Sequence, residues 1–250
     1  MTLQVEQRSS DSPYIEAVMH GHSLADGSAI RPAETNWHMV FVREQGTFHP
    51  LVVGPWRSAG VAQWHADSEI LWVKFKLGVF MPHLAFDHIV DNELRLPEGA
   101  GPTFRLKSES WELPTAENVE TFVARLIHDE ILVHDPLVGV VHADEPHEFA
   151  PRTIRHRFQR ATGLSPKQIQ QMMRAQQAAA LLQQGASILD TIYKAGYYDQ
   201  PHLTRASASM GRLHTIANSS HRYNQSQRYR HRGELRVAEA VCSYPHSPRC

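Results

Sequence analysis

The stretch that most constrains this chain runs from Ser187 to Arg205, SILDTIYKAGYYDQPHLTR. It predicts a helix, a tight turn and a second helix. Ser187 is suited to accept from a first-turn backbone N–H, and Ile188, Ile192 and Ala195 recur at helical spacing. Gly196 can take the left-handed conformation that ends a helix, and Asp199 followed by Pro201 opens the next one. Leu203 can then face the first helix, which leaves Gln200, His202, Thr204 and Arg205 as a donor-rich polar face. Side chains of that kind reach base edges in a DNA major groove. Any helical hairpin with a glycine corner shares part of this pattern, so the rest of the chain has to decide between the two readings.

Charge is the first discriminator. The net formal charge of -1 hides a split. Residues 1–150 carry ten Lys and Arg against twenty-two Asp and Glu, whereas 151–212 carry nine against two and 213–250 six against two. A compact basic segment is the footprint expected for phosphate contact. An acidic neighbour does not cancel it locally, because screening acts within about 10 Å.

The N-terminal portion reads as β structure. Residues 1–35 are mixed and polar and are expected to be an extended or loop-rich lead-in. From Trp37 the runs WHMVFVR, FHPLVV and ILWVKFKLGVF alternate with period two between Gly, Pro and Asp clusters. Leu71, Val73, Phe75 and Leu77 alternate with Trp72, Lys74 and Lys76, giving one apolar and one partly wet face. Residues 81–115 are proline-rich loops. Then Val119, Phe122, Val123, Leu126 and Ile127 mark an amphipathic helix, with a further helix expected over 135–144 and a polar hinge over 145–151. The basic region opens with RTIRHRFQRATG, in which Ile154, Phe158 and Ala161 share a face. After the Gly163 stop, Ser165 and Pro166 start a long Ala- and Gln-rich helix that ends at Gly185, with Ile169, Met172, Met173, Ala179 and Ala180 as its expected core side.

Taken together, RTIRHRF, TGLSP, the run from Arg174 to Leu182 and the A-G-Y-x-D-Q-P-H-L-T-R segment resemble the DNA-binding domain of the AraC family of bacterial transcription regulators, over about residues 135–205. Trp37 to Leu84 is more loosely similar to the sensory half of some members. The resemblance implies an α+β chain: an N-terminal, mostly antiparallel β sensory domain followed by an all-α domain with two helix-turn-helix units joined by one long helix. The expected division is 1–115 for the β domain, 116–150 for linker helices and hinge, 151–212 for the DNA-binding domain and 213–250 for a disordered basic tail. The implied DNA-binding residues are Arg152, Arg155 and His156 on the first recognition helix and Gln200, His202, Thr204 and Arg205 on the second. Expected partners are double-stranded DNA, RNA polymerase, a small-molecule effector and a second copy of the chain. Besides Tyr193, which stands where the first helix of the second unit usually has a small alanine, two departures stand out. Before the first recognition helix the chain offers only EPHEFAP at 145–151 where the family carries a scaffold helix. After Arg205, Ser207 occupies the place of an apolar anchor and no Gly-x-x-Pro turn follows. A one-base shift in reading frame near Met210, which with suitable codons restores Gly-Gln-Thr-Pro, and a naturally divergent tail both account for the second departure.

Other functions fit less well. Seventeen histidines invite a metalloenzyme built on the β domain, with His20, His22, His38, His49, His65, His83 and His88 as donors, but neither HExxH nor a matching carboxylate pattern occurs. No G-x-S-x-G elbow is present either. No catalytic residue, metal or cofactor is therefore expected, and no residue is assigned to an effector. A weakly binding relic with a broken second unit is the remaining alternative. The two cysteines, Cys242 and Cys250, sit in the last nine residues, and no basic leader or long apolar run is evident. These features lead to the expectation of a soluble cytoplasmic protein.

Overall fold

The computed structural model describes residues 3–209, with side chains to residue 206, so the expected tail and the side chain at the anchor position Ser207 lie outside what is described. The N-terminal strands are β1 (Leu3–Arg8), β2 (Ile15–Ser23), β3 (Gly27–Arg31), β4 (His38–Glu44), β5 (Thr47–Val53), β6 (Gly60–Trp64), β7 (Glu69–Phe75) and β8 (Val79–Phe80). After a 3-10 turn at Phe86–His88 come β9 (Glu93–Arg95), β10 (Thr103–Leu106) and β11 (Glu109–Glu112). Six strands form one antiparallel sheet in the order β1-β2-β7-β4-β5-β9, with β3-β6 and β10-β11 as separate ribbons. The fold is α+β, mostly antiparallel in its first half. One expectation needs correcting. The lead-in is not loop-rich, because β2 lies inside the sheet between β1 and β7 and buries Ile15, Ala17 and Val18.

The period-two alternation sorts side chains to the two sheet faces. Met39, Phe41, Val52, Leu71, Val73 and Phe75 enter the main core, while Val40, Leu51 and Ile70 form a second cluster joined by Trp64 and Trp72. Trp37 stacks on Phe75 at 4.2 Å between ring centroids and donates Nε1–H to the Val79 carbonyl at 2.6 Å, so it is a core residue. On the wetter face Lys74 is only 18% exposed and pairs with Glu16 at 2.8 Å and Glu34 at 3.2 Å. Burial opposes its charge, but the two carboxylates outweigh that and raise its pKa.

The helices are α1 (Val119–His128), α2 (Pro136–His142), α3 (Pro151–Thr162), α4 (Pro166–Gln183), α5 (Ile188–Ala195) and α6 (Gln200–Ser209), with β12 (Val133–His134) pairing β8 between α1 and α2. Phe122 of α1 sits edge-on to Phe41, Phe104 and Trp111 at 5.9, 6.2 and 6.1 Å, fixing α1 on the sheet. The main core then continues without a break through Leu137 and Val138 of α2, Phe158 and Ala161 of α3, and Ile169, Met172 and Ala175 of α4. By contrast α5 and α6 close over a cluster of four buried residues, Ala178, Ala195, Tyr197 and Leu203. The inward row of α4 differs from the expected one. Ala175 and Ala178 are buried, Met173 faces solvent and Ala180 is half-buried.

Local chemistry explains where each helix stops. Ser165 and Gln168 form a reciprocal capping box, with Ser165 Oγ accepting from Gln168 N at 3.3 Å and Ser165 N donating to Gln168 Oε1 at 2.8 Å. Gly163 ends α3 with φ of 71°, and a Cβ there would lie 2.5 Å from Val90 Cγ2 and 2.7 Å from the Phe86 carbonyl. The end of α3 is thereby seated directly on the 3-10 turn.

Candidate nucleic-acid interface

Each end of the α5–α6 corner is satisfied by its own side chains. Ser187 Oγ accepts from Asp190 N at 3.0 Å at the start of α5, and Gly196 closes that helix with φ of 67°. Asp199 Oδ1 accepts from His202 N at 2.8 Å and starts α6. The buried side of α5 is Thr191 and Ala195 with Ile192 half-buried, whereas Ile188 is exposed, so the apolar row is rotated by about one position from the one expected. Leu203, 2% exposed, anchors α6. Gln200, His202, Thr204 and Arg205 are all exposed, with His202 packed edge-on to the Tyr197 ring at 5.1 Å.

The earlier helix pair is built differently. Residues 135–144 do contain the further helix, α2, whose N-cap Asp135 accepts from Leu137 N at 3.1 Å. Arg157 on α3 donates Nε–H to the other Asp135 oxygen at 2.8 Å, and its second contact to Asp135 completes a bidentate clamp. The Asp135 carboxylate holds the Arg157 pKa above its usual value. A helix therefore does precede α3, separated from it by residues 143–150, which carry no helix. Arg152, Arg155 and His156 project to solvent from α3, while Phe158, Ala161 and Thr162 face inward. Arg160 does not join the exposed set in the same way, since its guanidinium lies 5.4 Å from the Phe80 ring centroid.

These seven side chains thus lie on two helices, α3 immediately before the 18-residue α4 in the chain and α6 alongside the first half of α4. The length of α4 is about 27 Å at 1.5 Å per residue. Among the described residues no group of three or more His, Cys, Asp or Glu is placed to hold an ion. No helix among the described residues is long and apolar enough to cross a membrane.

Residues 148–211 match a family model described as a helix-turn-helix domain. The match supports an AraC-like helix-turn-helix here. It also supports a DNA-binding transcription regulator as the coarse function. No curated protein and no solved structure matches the chain.

The AraC-like segment also borders a cleft that the sequence alone does not mark. About 400 Å³ in volume, it lies between α4, α6 and the loop after β5, and it is lined by Arg57, Arg174, His202 and Arg205 together with Tyr197. Arg57 is held by Asp91, whose carboxylate accepts from its backbone N and from its Nε at 2.6 Å each. Burial raises the Tyr197 pKa, and Arg174 pulls in the other direction. Local periodicity places Tyr197 in a turn and Arg57 in a β loop, so only the tertiary fold brings them together.

Proposed function

We propose that this chain is a sequence-specific transcription regulator in which α3 and α6 are the two recognition helices and α4 sets their separation. The observation that carries the reading is the pair of donor-rich helix faces on an AraC-like segment. Arg152, Arg155 and His156 stand on one face, and Gln200, His202, Thr204 and Arg205 on the other. Arginine can pair bidentately with guanine and glutamine with adenine, each good pair discriminating by about 1–3 kcal/mol. In this reading α2 serves as the scaffold helix of the first unit, and α5 as that of the second.

The β region regulates the interface by holding it. Because α3 and the first half of α4 share the main core with the sheet, the first unit moves with the β region, while the second rests on a small cluster of its own and touches the main core through Ala206. An effector or a second copy of the chain bound by the β region would act through different affinity for two arrangements of these parts. RNA polymerase is the partner that a DNA-bound regulator would engage.

The test is duplex binding by the full chain across a salt series. Neutralised phosphates release counterions, so affinity for a preferred duplex is expected to fall by about 10³ or more between 50 and 200 mM salt if six or more contacts form. A response flat in salt would remove DNA as the ligand of these faces.

A further inference from the structure

The cleft beside α6 brings together more cationic chemistry than DNA reading requires. Arg57 comes from the β region, Arg174 from α4, and His202 and Arg205 from α6, and none of the lining residues is acidic. Asp91 engages Arg57 through Nε, leaving its terminal nitrogens as donors. Among the described residues, Arg174 and Arg205 form neither an ion pair nor a hydrogen bond. The second observation is Tyr197. Its side chain is 8% exposed and lines this cleft, yet its hydroxyl has no hydrogen-bond partner among the described residues. A buried hydroxyl without a partner is costly relative to a satisfied one, and beside a cationic cleft a ligand oxygen can supply that partner. Met172 and Ala175 supply an apolar floor.

We propose that this cleft binds a small organic oxyanion, a carboxylate or phosphate ester, held by Arg57, Arg174 and the Tyr197 hydroxyl, and that its occupancy withholds Arg205 from DNA. The volume suits a molecule of metabolite size better than a bare ion. Such a ligand touches the β region and the second recognition helix at once, so its binding energy favours the arrangement in which they are apposed. The guanidinium of Arg57, oriented by Asp91, and that of Arg174 come from different parts of the chain and line the same cleft, where one anion can accept from both. The coupling to DNA rests on the function proposed above, whereas the anion site itself does not.

The full chain is titrated with inorganic phosphate and separately with benzoate, at ionic strength matched with chloride, and thermal midpoint and duplex affinity are both recorded. At least one anion is expected to raise the midpoint and weaken duplex binding where chloride does neither. Arg57→Gln and Arg174→Gln should each weaken the anion response about tenfold or more. Tyr197→Phe is the more incisive variant. It removes a hydroxyl that has no partner to lose, so the unliganded midpoint should hold or rise while anion affinity drops about tenfold. Arg105→Gln, on the exposed side of β10, should leave the response unchanged. A midpoint indifferent to both anions, or a Tyr197→Phe protein that binds them as tightly as the parent, overturns the site. Anion binding with unaltered duplex affinity overturns the coupling. Sequence-specific duplex binding without an anion response defeats this inference alone. An anion response in a protein with no sequence-specific binding supports the site and removes the DNA reading instead.

Discussion

Gly163 is the residue on which the seating of α3 turns. Its φ of 71° is one that a β-carbon resists, and the same β-carbon would meet Val90 and the Phe86 carbonyl at under 3 Å. Gly163→Ala therefore combines backbone strain with overpacking, and a loss of about 2–4 kcal/mol is expected in urea denaturation. A loss below about 0.5 kcal/mol would mean that α3 is not seated on the 3-10 turn. His38 is the second residue with a measurable consequence. Burial, with Lys74 and Arg31 adding repulsion, lowers its pKa to about 3. Its imidazole stays neutral in the fold but takes up a proton near pH 6.5 once unfolded, so the stability it protects is complete above about pH 6.5 and declines as pH falls toward 3. His38→Leu is expected to flatten the fall in thermal midpoint between pH 7 and pH 5. Parallel pH curves for variant and parent would show that His38 titrates normally.

At the scale of elements, α5 and α6 stand largely apart from the main core among the described residues, with Ala206 packed against both clusters. Their shared cluster holds four buried residues, against thirty-three in the main core, so they can open while the sheet stays closed. Leu203→Ala is expected to cost about 2–5 kcal/mol within this unit. Hydrogen exchange should then speed up at α5 and α6 amides and leave those of β4 and β7 unchanged. Uniform acceleration across the chain would contradict the separation of the two clusters.

The elements also show what local sequence could reveal. Ser165 with Gln168, Gly163, Ser187 and Gly196 act within a few residues of where they stand, and each helix boundary they marked lies where capping chemistry predicts. Strands β4, β5 and β7 were equally legible, because one buried face imposes period two. In α4 alanine lies on almost every side of the second half, so composition could not separate Ala178 from Ala180, and burial was decided by where α5 packs. β2 escaped because Gly21 and two histidines interrupt its alternation, and the β7 strand that pairs it lies some fifty residues away. The Asp135–Arg157 clamp and the Arg57–Arg174 apposition are likewise products of distant pairing. The exposure of the candidate residues on α3 and α6 could be read from sequence because on a short amphipathic helix it follows from the few apolar positions.

For the whole molecule, the continuous core across residue 150 is the feature with the widest reach. It makes the β region and the α2–α3 pair one mechanical piece, with α4 extending from it toward the second helix pair. If α3 and α6 both read DNA as proposed, the output depends on whether α6 is in place. The most direct measurement is selection of bound duplexes from a random pool by the full chain at low and physiological salt. Enrichment of two short blocks about one helical turn apart is expected, with Arg155→Ala relaxing one block and Arg205→Ala the other. A single enriched block, or binding with no preferred sequence, would contradict the claim that α3 and α6 both read DNA.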